Sequence, residues 1–173
     1  MSIASSSTID TPIGPFTAVV AGDGTVLAAG WTASLDLLLP VVAPGLRPAE
    51  VRARPDLGPV TDAVRRYHDG ELSAIDDIPV RQASGEFIQR AWEVLRTVPP
   101  GKPTSYTDFA ALAGRPDAIR AAAAACARNA AALFVPCHRI LRSDGSLGGF
   151  RWGLETKRWL LDHEAPSGGQ LQY

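Results

Sequence analysis

Phe134-Val135-Pro136-Cys137-His138-Arg139-Ile140 places a cysteine directly before a histidine and an arginine, with apolar residues on both sides. The thiolate is the reactive form of cysteine, and a histidine partner or nearby cations favour it over a free thiol of pKa about 8.5. A lone Cys-His pair is more often a small buried hydrophobe beside a surface histidine, so something must orient the imidazole. Glu164 is a candidate, because Leu154, Leu160 and Leu161 mark the apolar stripe of a helix and Glu164 falls on it, three and four residues after the last two. A buried carboxylate bonded to His138, with His138 acting on Cys137, supplies a nucleophile, a base and an orienting group. Amphipathic helices also carry solvated glutamates near their C-terminal ends, and the residues alone leave both readings open. The other cysteine, Cys126, has no adjoining histidine and reads as a structural thiol. Two cysteines are too few for a disulfide framework or a cysteine-rich zinc site.

These residues need elements to position them. Phe16 to Val20 and Val26 to Trp31, joined by Ala21-Gly22-Asp23-Gly24, read as a β-hairpin, with Thr11 to Pro15 leading into it. Pro40 to Pro59 has no clear period and reads as a variable loop. A short helix follows over about Val60 to His68, ended by Asp69-Gly70, then a strand over Ile75 to Val80 and a linker at Gln82-Ala83-Ser84-Gly85. Phe87, Ala91, Trp92 and Leu95 share one helical face that Pro99-Pro100-Gly101 stops. Ser105-Tyr106-Thr107-Asp108 resembles a capping box for a helix to Ala113, and Gly114 ends it. Pro116 and Asp117 suit the first turn of a second helix to about Arg128, which gives helix-turn-helix spacing. Ala121 to Ala125, Ala127 and Ala130 to Ala132 strip that second helix and its exit of bulk. One alanine face suits tight packing, whereas an exposed one would let the backbone approach a narrow groove, with Arg120 as its long cation. The expected domains are residues 1–83 and 84–173.

The 173 residues, 46% hydrophobic and 20% charged, have ordinary globular composition. No apolar run approaches the roughly 18 residues of a membrane span, and the first residues lack a charged, then apolar leader, so the expected location is the cytoplasm. The net charge of −1 hides an asymmetry: residues 1–83 carry 6 Lys/Arg against 10 Asp/Glu, and residues 84–173 carry 11 against 8. A basic second half is a modest pointer to a polyanion such as nucleic acid.

With these motifs in order, the chain resembles the methylated-DNA–protein-cysteine methyltransferases, also called O6-alkylguanine-DNA alkyltransferases. Pro136-Cys137-His138-Arg139-Ile140 matches their active-site motif. Thr11-Pro12-Ile13-Gly14 looks like their opening strand and Tyr67-His68-Asp69-Gly70-Glu71-Leu72 like their end-of-helix motif. Gly101 with Ser105-Tyr106 resembles the approach to their DNA-binding helices. Gly149-Phe150-Arg151-Trp152-Gly153 and Lys157-Arg158-Trp159-Leu160-Leu161 look like their binding loop and last helix. The resemblance implies an α+β fold: a small N-terminal domain with an antiparallel, RNase H-like sheet, and a mainly helical C-terminal domain with a winged helix-turn-helix. It implies direct-reversal DNA repair, in which Cys137 takes the alkyl group of O6-alkylguanine in duplex DNA, stoichiometrically and irreversibly. O4-alkylthymine is left open as a further substrate. His138, through a water and held by Glu164, would take the thiol proton, and Tyr106 would offer its hydroxyl to the leaving guanine. Asn129 would brace the turn before the active-site strand. Arg120 would fill the stack when the nucleotide is flipped out. The helix bearing Ala121 would enter the minor groove, where readout is degenerate, with Ser105 and Tyr106 at the DNA and Arg128 either on a phosphate or solvated. Asn129, Pro136 and Phe150 would line the pocket, and Arg151 and Trp152 its mouth, where packing alone is the other reading of the tryptophan.

Phe150 stands where the family usually has tyrosine, and Ala130 where proline is common. Residues 1–83 hold no cysteine and only His68, so neither a metal nor another cofactor is expected. The expected partner is alkylated double-stranded DNA, with no membrane, and the expected state a monomer; cooperative assembly on DNA is left open. Two other classes remain: a binding protein that recognises alkylated DNA without chemistry, and a cysteine hydrolase built on Cys137, His138 and Glu164.

Overall fold

The computed structural model describes residues 2–166. The fold is mixed α+β, and contacts divide it into two units. One holds the chain up to Ala83 together with Ala130–Phe134, the other Ser84–Asn129 and the chain from Val135 onward; residues 167–173 of the expected second domain lie outside the described residues.

The first unit is built on strands β1 (Ile3–Thr11), β2 (Gly14–Val20), β3 (Val26–Gly30) and β4 (Glu50–Ala53), followed by helix α1 (Pro59–His68). The β2–β3 hairpin forms where apolar and β-branched residues flank Gly22-Asp23-Gly24, and every residue of β3 is buried. The strand order is β3-β2-β1-β4. β1 runs antiparallel to β2, but β4 runs parallel to β1, pairing Ile3 with Glu50 and Ser6 with Ala53. The sheet is therefore mostly antiparallel rather than wholly so. Two expectations are corrected. The stretch from Pro40 to Pro59 contains β4, and Ile75 to Val80 forms no strand but a 3-10 turn at Leu72–Ile75 and a single bridge from Val80 to Val26. Ala130–Phe134 returns to the edge of β3, where the Ala29 amide donates to Ala130 at 2.8 Å and the Ala132 amide to Ala29 at 3.2 Å. Helix α1 buries Val60, Ala63, Val64 and Tyr67. His68 is spent on structure: Nδ1 donates to the Val64 carbonyl at 2.7 Å, and Nε2 accepts from Trp31 at 3.3 Å.

The second unit contains α2 (Glu86–Leu95), β5 (Thr104–Ser105), α3 (Tyr106–Leu112), α4 (Ile119–Ala127), β6 (Ile140–Leu141) and α5 (Leu154–Glu164). α2 buries Ala91, Trp92 and Leu95 as expected, but the fourth buried residue is Ile88, and Phe87, expected on that face, is half-buried. Trp92 donates its indole N–H to the Ala125 carbonyl of α4 at 2.8 Å, a satisfied polar tip on a buried ring. Ser105 caps α3 by accepting from the Asp108 amide at 3.0 Å. Pro116 and Asp117 lie in a turn, so α4 begins at Ile119, later than expected. β5 and β6 form a short parallel ladder, Thr104 opposite Ile140.

Candidate active site

Cys137 opens a 3-10 turn, Cys137–Arg139, that follows buried Pro136 and leads into β6. It is 8% exposed. Burial pushes its thiol up; a hydrogen bond from Asn129 and the positive charges of Lys157 and Arg151 pull the other way without prevailing. Cys137 therefore rests as a thiol, because loss of water outweighs the nearby cations.

His138 and Glu164 meet as the spacing from Leu160 and Leu161 suggested, although Leu154, read on the same stripe, is exposed. α5 buries Lys157, Leu160, Leu161 and Glu164 on one face, and Glu164 Oε2 lies 2.8 Å from His138 Nε2. His138 Nδ1 is buried with no hydrogen-bond partner. Burial lowers the His138 pKa, against the pull of Glu164, so the imidazole favours its neutral form. Glu164 is also the partner of a residue to which the sequence reading gave no role. Arg139 donates Nε to Oε1 and Nη2 to Oε2, both at 2.9 Å, and Nη1 to the Val98 carbonyl at 2.7 Å. Burial works against the charge of Glu164, but His138 and this fork outweigh it and hold the carboxyl well below the usual carboxylate range.

A second omission is Lys157, which is 0% exposed. Its ammonium donates to the carbonyls of Ile140 at 2.8 Å, Leu147 at 2.5 Å and Gly149 at 3.4 Å. Its spacing carried the signal that found Glu164, since it precedes Leu160 and Leu161 by three and four residues.

Asn129 is buried and donates Nδ2 to the Val135 carbonyl at 2.7 Å, bridging the segment before Cys137. Tyr106 starts α3. Burial, with the charges of Cys126 and Cys137, raises its hydroxyl above the usual phenol range, so it stays a donor. A side chain on Gly148 would meet the Tyr106 ring at 3.4 Å and its oxygen at 3.6 Å. Tyr106, Cys126, Cys137 and Lys157 thus form one electrostatic neighbourhood, in which Cys126 is half-buried. Arg151 is exposed and donates Nη2 to the Ala127 carbonyl at the end of α4, at 2.5 Å, with Trp152 5.9 Å from its guanidinium. That contact satisfies a helix-terminal carbonyl and suits the negative end of the helix dipole. Phe150 and Trp152 are half-buried. Arg120 and Arg128, on and just after α4, are exposed, Ala121 within α4 is half-buried, and Ser105 caps α3. Among the described residues no three His, Cys, Asp or Glu side chains converge as a metal site would need.

The arrangement can activate a thiol: a buried sulfur, a neutral imidazole with a bare nitrogen, and a carboxylate that fixes the ring. Comparison with known proteins agrees in kind. The family model of the 6-O-methylguanine DNA methyltransferase DNA-binding domain matches residues 86–166. The bifunctional transcriptional activator/DNA repair enzyme Ada of Escherichia coli K12 is 46% identical over 88 residues, which is 51% of this chain; the match spans 25% of that longer protein. The methylated-DNA–protein-cysteine methyltransferase of Mycobacterium tuberculosis H37Rv is 36% identical over 160 residues, 91% of this chain and 90% of the relative. The crystal structure of Mycobacterium tuberculosis OGT in complex with DNA matches with a TM-score of 0.76 at 29% identity, covering 94% of this chain and 96% of that one.

Proposed function

As this chain belongs to the methylated-DNA–protein-cysteine methyltransferases, we propose that it repairs DNA by moving the alkyl group of O6-alkylguanine onto its own Cys137. The observation that carries the reading is the buried Cys137 followed directly by a His138 bonded to Glu164 at 2.8 Å. The thiol proton passes, through a water, to His138 Nδ1. The sulfur then attacks the alkyl carbon from behind, forming the S–C bond as the C–O6 bond breaks and its electron pair goes to the base. The Tyr106 hydroxyl donates to the leaving guanine, and its raised pKa keeps that proton available. Among the described residues no group is placed to cleave the resulting thioether, so each molecule acts once.

For the duplex, α3 and α4 act as a helix-turn-helix, with the β5–β6 ladder and its loop as the wing. The small residues Ala121 to Ala125 let α4 approach the minor groove. Exposed Arg120 enters the stack when the damaged nucleotide turns out, and Arg128 serves a phosphate. Pro136, Asn129, Phe150, Arg151 and Trp152 bound the alkyl pocket, and O4-alkylthymine fits the same chemistry. DNA binding and transfer belong to the domain beginning at Ser84. The strand order β3-β2-β1-β4 with β4 parallel to β1 supports an RNase H-like first domain. No helix among the described residues is long and apolar enough to cross a membrane, and we place the protein in the cytoplasm as a monomer.

The test is an intact mass after incubation with excess O6-methylguanine duplex. One methyl-sized gain per molecule is expected, absent in Cys137→Ser. No adduct, or repeated turnover, would remove the proposal in favour of a binding protein or a hydrolase.

A further inference from the structure

Arg139 belongs to the Pro136–Ile140 run, yet no step of the alkyl transfer uses it. It is among the most buried charged residues, and its guanidinium is spent within the site: a fork of two 2.9 Å bonds on Glu164 and a 2.7 Å bond to the Val98 carbonyl. Two parallel N–H bonds from a guanidinium to one carboxylate form the strongest ion pair available to side chains, and a guanidinium does not give up its proton. The same oxygen, Oε2, faces His138 Nε2 at 2.8 Å.

An ionised carboxylate can only accept hydrogen bonds. While Glu164 is ionised, the proton between Oε2 and Nε2 sits on Nε2, and Nδ1 is the bare nitrogen of the ring. Nδ1 is the buried side-chain atom without a partner. If Glu164 were protonated it would donate to Nε2, leaving the ring proton on Nδ1. If Glu164 were ionised but had no cation beside it, it would draw a second proton onto the imidazole. Either outcome removes the base that Cys137 needs.

We propose that Arg139 is a positioning residue for alkyl transfer: by holding Glu164 as a carboxylate with both oxygens engaged, it fixes His138 as the neutral Nε2–H tautomer, with Nδ1 left to accept the Cys137 proton. The inference rests on Cys137 as the alkyl acceptor. The charged groups facing His138 are Glu164 and Lys157 from α5 and Arg139 from its own turn. Burial acts first against the imidazolium; Glu164 opposes this by charge and hydrogen bond, and Arg139 and Lys157 reinforce it.

Arg139→Gln and Arg139→Lys decide the matter, with single-turnover methyl transfer followed from pH 5 to 9 and the ring nitrogens of His138 observed by ¹⁵N NMR. Arg139→Gln should move the acid limb of the rate profile upward by roughly one to three pH units, the size of effect one adjacent charge has. Arg139→Lys keeps the charge and should restore the original limb. In the unsubstituted protein at pH 7 the ring should be neutral with a bare Nδ1. A ring that is doubly protonated there, or protonated on Nδ1, overturns the proposal whether or not either variant folds. An unmoved acid limb in folded Arg139→Gln overturns it as well. If the unsubstituted protein gains no methyl group on Cys137, the proposed function fails and this role falls with it; an adduct with an unmoved limb removes the role of Arg139 alone.

Discussion

A buried ammonium keeps its charge only if acceptors replace the water it lost, and Lys157 has three backbone carbonyls to do so, those of Ile140, Leu147 and Gly149. Burial still lowers its pKa, while negative charge on Cys137 or Cys126 raises it. The coupling runs both ways, since the charge of Lys157 lowers the pKa of both thiols. Lys157 therefore does two things that a solvated lysine would not: it ties the chain after β6 to α5, and it favours the thiolate. Lys157→Met keeps the shape and removes the charge. It should destabilise the fold by about 2 kcal/mol through the carbonyls left without a donor, measured by urea unfolding. Its Cys137 pKa, already raised by burial, should rise further, so the midpoint for alkylation by a small reagent such as iodoacetamide should move to higher pH. A midpoint unchanged or lowered would mean that the ammonium acts on the loop alone.

Among the elements, the turn after α2 serves the site twice. Val98 accepts from Arg139, and Gly101 lets the end of α5 come close. Gly101 has φ of +79°, and a Cβ there would lie 2.8 Å from the Glu164 carbonyl oxygen. Gly145 has a similar φ of +87° with nothing within 4 Å, so the pair separates conformational strain from close approach. Gly145→Ala should cost about 1 kcal/mol for the left-handed backbone. Gly101→Ala should cost roughly 3 kcal/mol, because backbone must also move, and should slow alkyl transfer by displacing Glu164. Equal costs in thermal unfolding would show that the approach is not tight. Gly101 was legible in the sequence as a helix stop and as part of the approach to the helix pair, not as a point of close approach to α5, and that limit recurs. The β2–β3 hairpin, α1, α2 and the cap of α3 could be read because apolar period, turn residues and caps are local signals. β1 could not, for Ser5-Ser6-Ser7-Thr8 has no apolar alternation, and it becomes a strand because β2 and β4 pair with it on either side. β4 is four residues long within a Pro- and Arg-rich stretch and exists through that same pairing. Within the site, adjacency revealed Cys137 and His138, and helical spacing revealed Glu164. The fork from Arg139 spans 25 residues and the Lys157 contacts turn on where carbonyls point, which no periodic pattern encodes.

Over the whole chain a net charge of −1 would predict indifference to DNA, but its distribution argues otherwise: residues 84–173 carry 11 Lys/Arg against 8 Asp/Glu, and residues 1–83 carry 6 against 10. Arg115, Arg120, Arg128, Arg142 and Arg158 are exposed in the second unit. Each cation that neutralises a phosphate releases condensed counterions, so affinity should fall linearly with log salt by about 0.9 per contact. Arg128→Ala should lower that slope by about 0.9 and weaken binding to damaged and undamaged duplex alike. Arg120→Ala should behave differently, because a residue that fills the gap of a flipped nucleotide offsets an unstacking cost of a few kcal/mol. It should slow methyl transfer from duplex by roughly tenfold or more, while transfer from free O6-benzylguanine, which has no stack to leave, stays unchanged. Fluorescence anisotropy across a salt series, paired with the two transfer rates, checks both residues at once. If Arg120→Ala slowed the free base as much as the duplex, Arg120 would belong to the pocket or the fold, and the cost of turning out the base would have to be met by some other residue.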